Sequence, residues 1–144
     1  MFIGEYDHKI DSKNRLSIPR KFRDVLKEGD EVSGFYITRG LDQCLFLFTA
    51  SQWNEVTTTL RQRAFTDSAS RRFERLFFSN ASFCELDGQG RILIPEKLKD
   101  VASLEKNVTL VGVYSRVEVW SRSRWRAVQQ ADTGEYESLA EQLF

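Results

Sequence analysis

The chain is poor in the residues that metal sites and disulfides require. Its 144 residues include one histidine and two cysteines, and Cys44 and Cys84 are too far apart to form a CxxC pair. A structural zinc site would have to recruit carboxylates, so we expect no metal site and no cofactor. Motifs typical of enzymes, such as a P-loop or a nucleophile elbow, are also missing. We therefore expect no catalytic residues, and we interpret His8 as a strand-surface residue.

Long hydrophobic runs and an excess of charge of one sign are lacking as well. Residues 1–7 contain neither a basic stretch nor a long apolar run, which argues against a signal peptide and a transmembrane helix. The 21 basic and 21 acidic side chains balance, so net charge alone indicates no class of partner. We expect a reduced, cytoplasmic protein without membrane association, built as one compact body or as two small halves that share a core.

The most informative feature that is present is an internal duplication. Residues 11–19 read DSKNRLSIP and residues 87–95 read DGQGRILIP, and the match continues beyond each proline. Residues 45–53 match residues 117–125 at a shorter offset, because the first copy carries extra residues between its motif and its later strands. With only two copies, a domain with pseudo-two-fold symmetry is favoured over a solenoid.

Each copy is predicted to open with a β-hairpin. Leu16 and Ile18 alternate with a polar residue, which is typical of a half-buried strand, and residues 92–94 resemble a fully buried strand. The intervening residues 12–14 and 88–90 are turn formers that tolerate left-handed backbone.

A short helix and two more strands are predicted to complete each copy. Pro19 and Pro95 fit the first position of a helix, where a missing N–H costs nothing. The later strands are predicted at residues 34–38, 44–48, 108–113 and 117–120.

Two linking helices and a terminal helix are also predicted. Thr49 and Gln52 have the spacing of a capping box, and Asp67 or Ser68 can cap the following helix. The predicted inward residues are Trp53, Val56, Leu60 and Ala64 in the first linking helix and Phe73, Leu76 and Phe77 in the second. The tail at residues 133–144 has three glutamates and no basic residue. It is either an amphipathic helix that seeks a partner surface or a frayed end.

An aspartate and an arginine four residues apart enclose each predicted turn, as Asp11 with Arg15 and as Asp87 with Arg91. In a structural interpretation, each carboxylate accepts turn N–H groups and pairs with its arginine, which braces the hairpin. In a functional interpretation, the aspartates hold the arginines at the loop edge for a phosphate or a guanine. Duplication in matched context favours the functional interpretation, although a folding requirement would be duplicated too.

The neutral net charge hides a local basic patch. Five cationic side chains and no acidic one lie in residues 13–23, and they are Lys13, Arg15, Arg20, Lys21 and Arg23. Such a patch is typical of nucleic-acid binding, and the alternative is a solvated helix face. In the second copy Gln89 replaces Lys13 and Glu96 replaces Arg20, so we expect the equivalent surface to be weaker there.

The paired motifs resemble the MraZ family, bacterial regulators built from two AbrB-like units of the swapped-hairpin barrel type. The resemblance is carried by residues 1–6, 11–19 and 86–91, and it extends to about residue 125. It implies an α+β fold of tandem duplicated swapped-hairpin β-barrel-like halves with short helices and pseudo-two-fold symmetry. The predicted parts are a first AbrB-like repeat at 1–50, linking helices at 51–80, a second repeat at 81–125 and an acidic amphipathic tail at 126–144.

The resemblance also implies a function. It implies a nucleoid-associated regulator of the division and cell-wall gene cluster, acting as a ring-shaped homo-oligomer on repeated promoter boxes of double-stranded DNA. By motif position, the family's DNA-contacting arginine falls on Arg15, and its second-copy equivalent is Arg91. The predicted DNA-binding residues are Lys13, Asn14, Arg15, Arg20, Lys21, Arg23 and Arg91, while Asp11 and Asp87 brace the motifs. The competing interpretation is a non-catalytic protein-interaction adaptor whose basic loop binds an acidic partner.

Overall fold

The computed structural model describes residues 1–26 and 33–144. The strands are β1 (Phe2–Lys9), β2 (Arg15–Ser17), β3 (Gly34–Arg39), β4 (Leu45–Phe48), β5 (Ser82–Glu85), β6 (Arg91–Leu93), β7 (Asn107–Tyr114) and β8 (Val117–Ser121). The α-helices are α1 (Arg20–Arg23), α2 (Ala50–Arg61), α3 (Ser68–Ser79), α4 (Glu96–Val101), α5 (Arg122–Thr133) and α6 (Tyr136–Leu143), and a 3-10 turn spans Asp24–Leu26. The predicted α+β class is confirmed.

The order of strands in the main sheet reproduces the duplication. Six antiparallel strands lie in the order β1-β7-β8-β4-β3-β5. Strands β1, β3 and β4 of the first copy correspond to β5, β7 and β8 of the second. When each strand is replaced by its counterpart and the list is read backwards, the same order results. The pseudo-two-fold axis therefore passes between β8 and β4, where Phe46 pairs with Glu118.

The opening strand of each copy pairs with the other copy. β1 is antiparallel to β7, and β5 is antiparallel to β3. As a result β1 and β5 lie at opposite edges of an open sheet. The predicted barrel-like halves are not found as closed barrels in residues 1–26 and 33–144, because the edge strands β1 and β5 do not pair with each other.

The strands that follow the motif turns also pair across the copies. β2 and β6 form a separate two-stranded ribbon in which Leu16 lies opposite Ile92. The predicted hairpins are therefore incomplete: in the described residues, the backbone pairing of β2 with the arm before its own turn is limited to an isolated bridge between Ile10 and Leu16. We refer to β2 and β6 together as the motif ribbon.

One hydrophobic core serves both copies. Leu16 and Phe22 of the first copy lie in the same buried cluster as Ile92 and Leu98 of the second. Phe22 packs edge-on against Phe2, with 5.3 Å between the ring centroids. Because helices α1 and α4 contribute their apolar sides to this cluster, their positions depend on both repeats.

The helices that follow the two motif prolines begin one residue later than predicted. Pro19 and Pro95 are the N-cap residues of α1 and α4, with extended ψ angles of 140° and 138°. Their carbonyl groups accept the first hydrogen bonds of these helices, which an N-cap residue does before the helical backbone begins.

The linking helices differ from the prediction in what they bury. The capping box of α2 is confirmed, whereas Ala64 lies beyond the end of the helix and is exposed. Asp67 caps α3, and Phe77 is buried. Phe73 and Leu76 were predicted to face inward, but they are 42% and 54% exposed. Their exposure follows from narrow packing, since α3 meets β3 along the line of Phe77.

The tail forms a helix, which is one of the two predicted alternatives. Helix α6 spans Tyr136–Leu143, and none of its side chains is buried. In the part of the chain that the structure describes, no helix combines the length and hydrophobicity that crossing a bilayer needs. The finer division of the chain into repeats and linkers stays a prediction.

Thr49 and Ser121 are matched N-cap residues of α2 and α5. The Thr49 side chain accepts a backbone N–H of its own helix, whereas the Ser121 side chain makes no such cap bond and meets only the Ser123 hydroxyl within the described residues. We expect Thr49→Ala to lower the free energy of unfolding by about 1 kcal/mol, because the Gln52 N–H loses its acceptor. Ser121→Ala is the control and should cost less than half as much. Urea denaturation followed by circular dichroism measures both values, and equal losses would contradict the assignment.

Candidate nucleic-acid interface

The Asp11 carboxylate organises the first motif turn. Its Oδ1 accepts the backbone N–H groups of Lys13 and Arg15, both at 2.9 Å. Its Oδ2 accepts a hydrogen bond from Nε of Arg15 at 2.8 Å. The turn also requires left-handed backbone at Asn14, where φ is 62°. A single side chain therefore fixes both the backbone of the turn and the direction of the arginine.

The second motif repeats this geometry around Asp87. Oδ1 accepts the N–H groups of Gln89 and Arg91 at 2.8 and 3.0 Å, and Oδ2 accepts from Nε of Arg91 at 2.9 Å. Gly90 takes the left-handed position with a φ of 75°. Both copies thus contain the hydrogen bonds that the structural interpretation of the Asp–Arg pairs requires. These bonds do not exclude the functional interpretation, because the brace occupies only one nitrogen of each guanidinium.

Hydrogen bonding keeps both bracing aspartates ionised. The backbone N–H of Arg15 is the main cause that lowers the pKa of Asp11 below its ordinary value of 3.8. The backbone N–H of Arg91 lowers the pKa of Asp87 in the same way. Both carboxylates therefore stay anionic at neutral pH and hold their arginines by charge as well as by geometry.

The two motif turns hold each other through the backbone. The N–H of Ile94 donates to the carbonyl of Asn14 at 2.8 Å, and the N–H of Ile18 donates to the carbonyl of Gly90 at 3.0 Å. Because β2 and β6 are antiparallel, these reciprocal bonds lie at opposite ends of the short motif ribbon, with one motif turn at each end. The Arg91 guanidinium nevertheless approaches the first motif, with Nη1 3.9 Å from Oδ2 of Asp11.

Side chains from α4 hold the Asn14 amide. Nζ of Lys99 donates to Oδ1 of Asn14 at 2.7 Å, and Nδ2 of Asn14 donates to Oε2 of Glu96 at 2.6 Å. Asn14 was predicted to contact DNA, but its side chain is committed to the second copy. No signal in the motif spacing could have revealed this, since both partners lie far away in the sequence.

Arg23 plays the corresponding role toward the second turn. Its Nε donates to the carbonyl of Ile18 at 3.0 Å. Its guanidinium covers Gly90 so closely that an added Cβ there would lie 2.6 Å from Nη1. A side chain at position 90 would therefore displace Arg23. The duplication does contain the relevant signal, because Arg23 and Lys99 occupy equivalent positions.

The remaining predicted cations are available at the surface. Lys13, Arg20 and Lys21 are exposed, and their side chains make no hydrogen bond or ion pair within the described ranges. The side chain of Arg15 is 34% exposed and that of Arg91 is 24% exposed. The structure thus brings Lys13 and Arg15 together on one rigid turn, with Arg20 and Lys21 at the start of the next helix.

The described residues offer little support for metal or thiol chemistry. In residues 1–26 and 33–144, no group of three or more His, Cys, Asp or Glu side chains could hold a metal ion. Burial raises the pKa of the Cys44 thiol to about 12, which leaves it unreactive near neutral pH. His8 lies in β1, half-buried, where Nδ1 donates to the carbonyl of Ser17 at 2.7 Å.

Comparison with known proteins agrees with the duplication. A family model described as "MraZ protein, putative antitoxin-like" matches residues 1–76 and again residues 77–143. The curated protein "Transcriptional regulator MraZ" of Moorella thermoacetica is 49% identical over 143 residues, covering 99% of this chain and 96% of that protein. Proteins of the same name from Alkaliphilus oremlandii and Natranaerobius thermophilus are each 45% identical over 143 residues, with the same coverage.

The lowered pKa values of Asp11 and Asp87 should make the fold sensitive to acid. A pKa lowered in the folded state stabilises the protein above the ordinary value of 3.8, and this contribution is lost as pH falls through the folded-state pKa. We expect the melting temperature of wild type to fall more steeply between pH 5 and pH 3 than that of Asp11→Asn/Asp87→Asn. Thermal melts across this range test the difference, with Asp100→Asn as control. Parallel curves for wild type and the double variant would show that the braces do not contribute.

Proposed function

The chain belongs to the MraZ family, and we propose that it is a non-catalytic transcriptional regulator that binds double-stranded DNA through its Arg15 turn. Relatives with 45–49% identity over nearly their whole length are named transcriptional regulators. The observation that carries the DNA-binding role is the arginine fork held by Asp11 on a basic turn. Lys13 adds a second exposed cation to the same turn.

A braced arginine suits base recognition for two reasons. Its Nε bond to Asp11 limits the conformations of the side chain, so less entropy is lost when the side chain meets DNA. Within the described residues its terminal nitrogens make no hydrogen bond, and these nitrogens can pair with the O6 and N7 atoms of guanine. We propose that Lys13 and Arg15 enter a groove while Arg20 and Lys21 contact phosphates.

Asn14 and Arg23 have a different role in this proposal. Both were predicted to touch DNA, yet Asn14 is held by Lys99 and Glu96, and Arg23 covers Gly90. We therefore assign them mainly to positioning the two turns. Their remaining polar atoms could add only secondary contacts with phosphates.

Arg91 is proposed as a weaker contributor than Arg15. It is less exposed, and Asp11 as well as Asp87 lies within 4.0 Å of its guanidinium. Its turn carries Gln89 where the first turn carries Lys13. The position equivalent to Arg20 holds Glu96, whose carboxylate accepts from Asn14 of the first turn, so the second copy lacks a cation there.

We further propose that the protein acts in the cytoplasm, at the nucleoid, as a ring-shaped homo-oligomer on repeated promoter boxes of the division and cell-wall gene cluster. Several exposed turns on one assembly would bind repeated boxes with a raised effective concentration. The cross-copy pairing of β1 with β7 and of β5 with β3 supports the swapped-hairpin interpretation of the two repeats.

Arg15→Ala should weaken binding to the DNA upstream of the protein's own gene far more than Arg91→Ala. Each lost bidentate base contact costs about 1–3 kcal/mol, and the loss is multiplied over the subunits that touch DNA. Arg15→Lys should also bind this DNA more weakly than wild type, because lysine keeps the positive charge but lacks the planar fork of donors of the guanidinium group. Fluorescence anisotropy measures affinity, and circular dichroism and light scattering verify folding and mass. Wild-type affinity in a well-folded Arg15→Ala variant would contradict the proposed role.

DNA binding should depend steeply on salt and on the number of boxes. The logarithm of the binding constant falls against the logarithm of salt concentration with a slope of about −0.9 per neutralised phosphate. Lys21→Ala should make this slope shallower without changing sequence preference. Reducing the operator to one box should cost more than a proportional share of affinity, because avidity is lost. A shallow slope with equal affinity for one box and several would favour the protein-interaction adaptor.

A further inference from the structure

Helix α6 and the residue after it expose an apolar stripe. Tyr136, Leu139 and Leu143 recur at helical spacing, and Phe144 follows directly. All four are exposed, and Leu143 keeps 82% of its accessible surface. An exposed stripe of this kind on an ordered helix indicates a surface that another protein surface covers. We call residues 135–144 the tail helix segment.

The tail helix segment is also purely acidic. It carries Glu135, Glu137 and Glu141 with no basic side chain. Within the described part of the chain none of these glutamates forms an ion pair. A partner surface for this segment should therefore combine apolar contacts with positive charge.

Helix α3 presents such a surface on the same chain. Phe73 and Leu76 are exposed, and with Leu41 they line an apolar groove of about 330 Å³ between α3 and the loop that joins β3 to β4. The cations at the groove and on the outer side of α3 are Arg39, Arg72 and Arg75. Asp42 also lines the groove, but these arginines form no ion pair within the described residues and so can pair with the glutamates of the tail helix segment.

The two surfaces belong to opposite halves of the molecule. Helix α3 packs on β3, and Thr38 of that strand donates a buried hydrogen bond to the carbonyl of Phe77 at 2.6 Å. Helix α5, which leads into α6, packs on β7 and β8. Because β3 and β7 lie on opposite sides of the pseudo-two-fold axis, a tail-to-groove contact joins unlike surfaces of two molecules.

We propose that the tail helix segment of one copy docks in the α3 groove of a second copy, with its glutamates facing Arg39, Arg72 and Arg75. This inference rests on the proposed homo-oligomer and names its contact surfaces. We propose that each copy gives its tail to one neighbour and its groove to another, which makes the contact heterologous. A contact of this kind generates a ring when its rotation closes.

Charge reversal tests the contact directly. The tail variant is Glu137→Arg/Glu141→Arg, and the groove variant is Arg72→Glu/Arg75→Glu. Each variant alone should change from the wild-type oligomer mass to a monomer at micromolar concentration in light scattering coupled to size exclusion. A control, Glu105→Arg, alters an exposed carboxylate outside both surfaces and should keep the wild-type mass. All changed residues are exposed, and circular dichroism verifies folding.

Mixing the two variants provides the decisive step. In an equimolar mixture the basic tail meets the acidic groove, and the acidic tail of the other variant meets the unchanged basic groove. We expect the mixture to recover the wild-type mass. Variants that stay oligomeric alone, or a mixture that stays monomeric, would overturn the tail-to-groove contact.

A second pair of variants removes apolar contact and leaves charge unchanged. Phe73→Ser and Leu143→Ser alter exposed side chains on opposite surfaces, and each should reduce the mass as the charge variants do. Unchanged masses for both would also overturn the proposal, while a wild-type oligomer would leave the proposed function intact. A wild-type protein that is monomeric and still binds promoter DNA would disprove the proposed oligomer. A wild-type protein that forms the oligomer but does not bind promoter DNA would leave the docking contact standing and would contradict only the proposed function.

Discussion

Each opening strand finds its hydrogen-bond partners in the other copy, and the rest of the structure depends on this exchange. β1 pairs with β7, β5 pairs with β3, and the motif ribbon joins the copies once more. A single repeat would leave the backbone groups of these strands unpaired, which is costly when they are buried. The shared core and the placement of one motif turn at each end of the ribbon follow from the same pairing, so the two repeats constitute one folding unit.

Within this symmetric frame the two motifs have diverged in what surrounds them. Both aspartates brace an arginine with nearly the same distances. The first turn adds free cations, whereas the second copy supplies Lys99 and Glu96 to hold Asn14. A duplicated brace is therefore compatible with the proposed division of labour, in which the first turn meets DNA and the second copy keeps that turn in position.

Basic and acidic side chains are also segregated on different parts of the molecule. The neutral total conceals a basic motif turn, a basic α3 and an acidic tail. If the tail helix segment covers the arginines of α3 in an assembly, the cations of the motif turns stay uncovered. Assembly would then reduce the positive potential at α3 while keeping that of the proposed DNA-binding turns, which favours specific encounter over indiscriminate attraction.

The sequence by itself determined the features that depend on neighbours within a few residues. The Asp–Arg braces, the capping box of α2 and the strand pairs at β3 to β4 and β7 to β8 all have partners close along the chain. Tertiary structure alone decided the exchange of strands, the engagement of Asn14 and Arg23, and the exposure of Phe73 and Leu76. Hydrophobic period and turn chemistry report local conformation, but they do not identify which distant backbone group or helix face completes each contact.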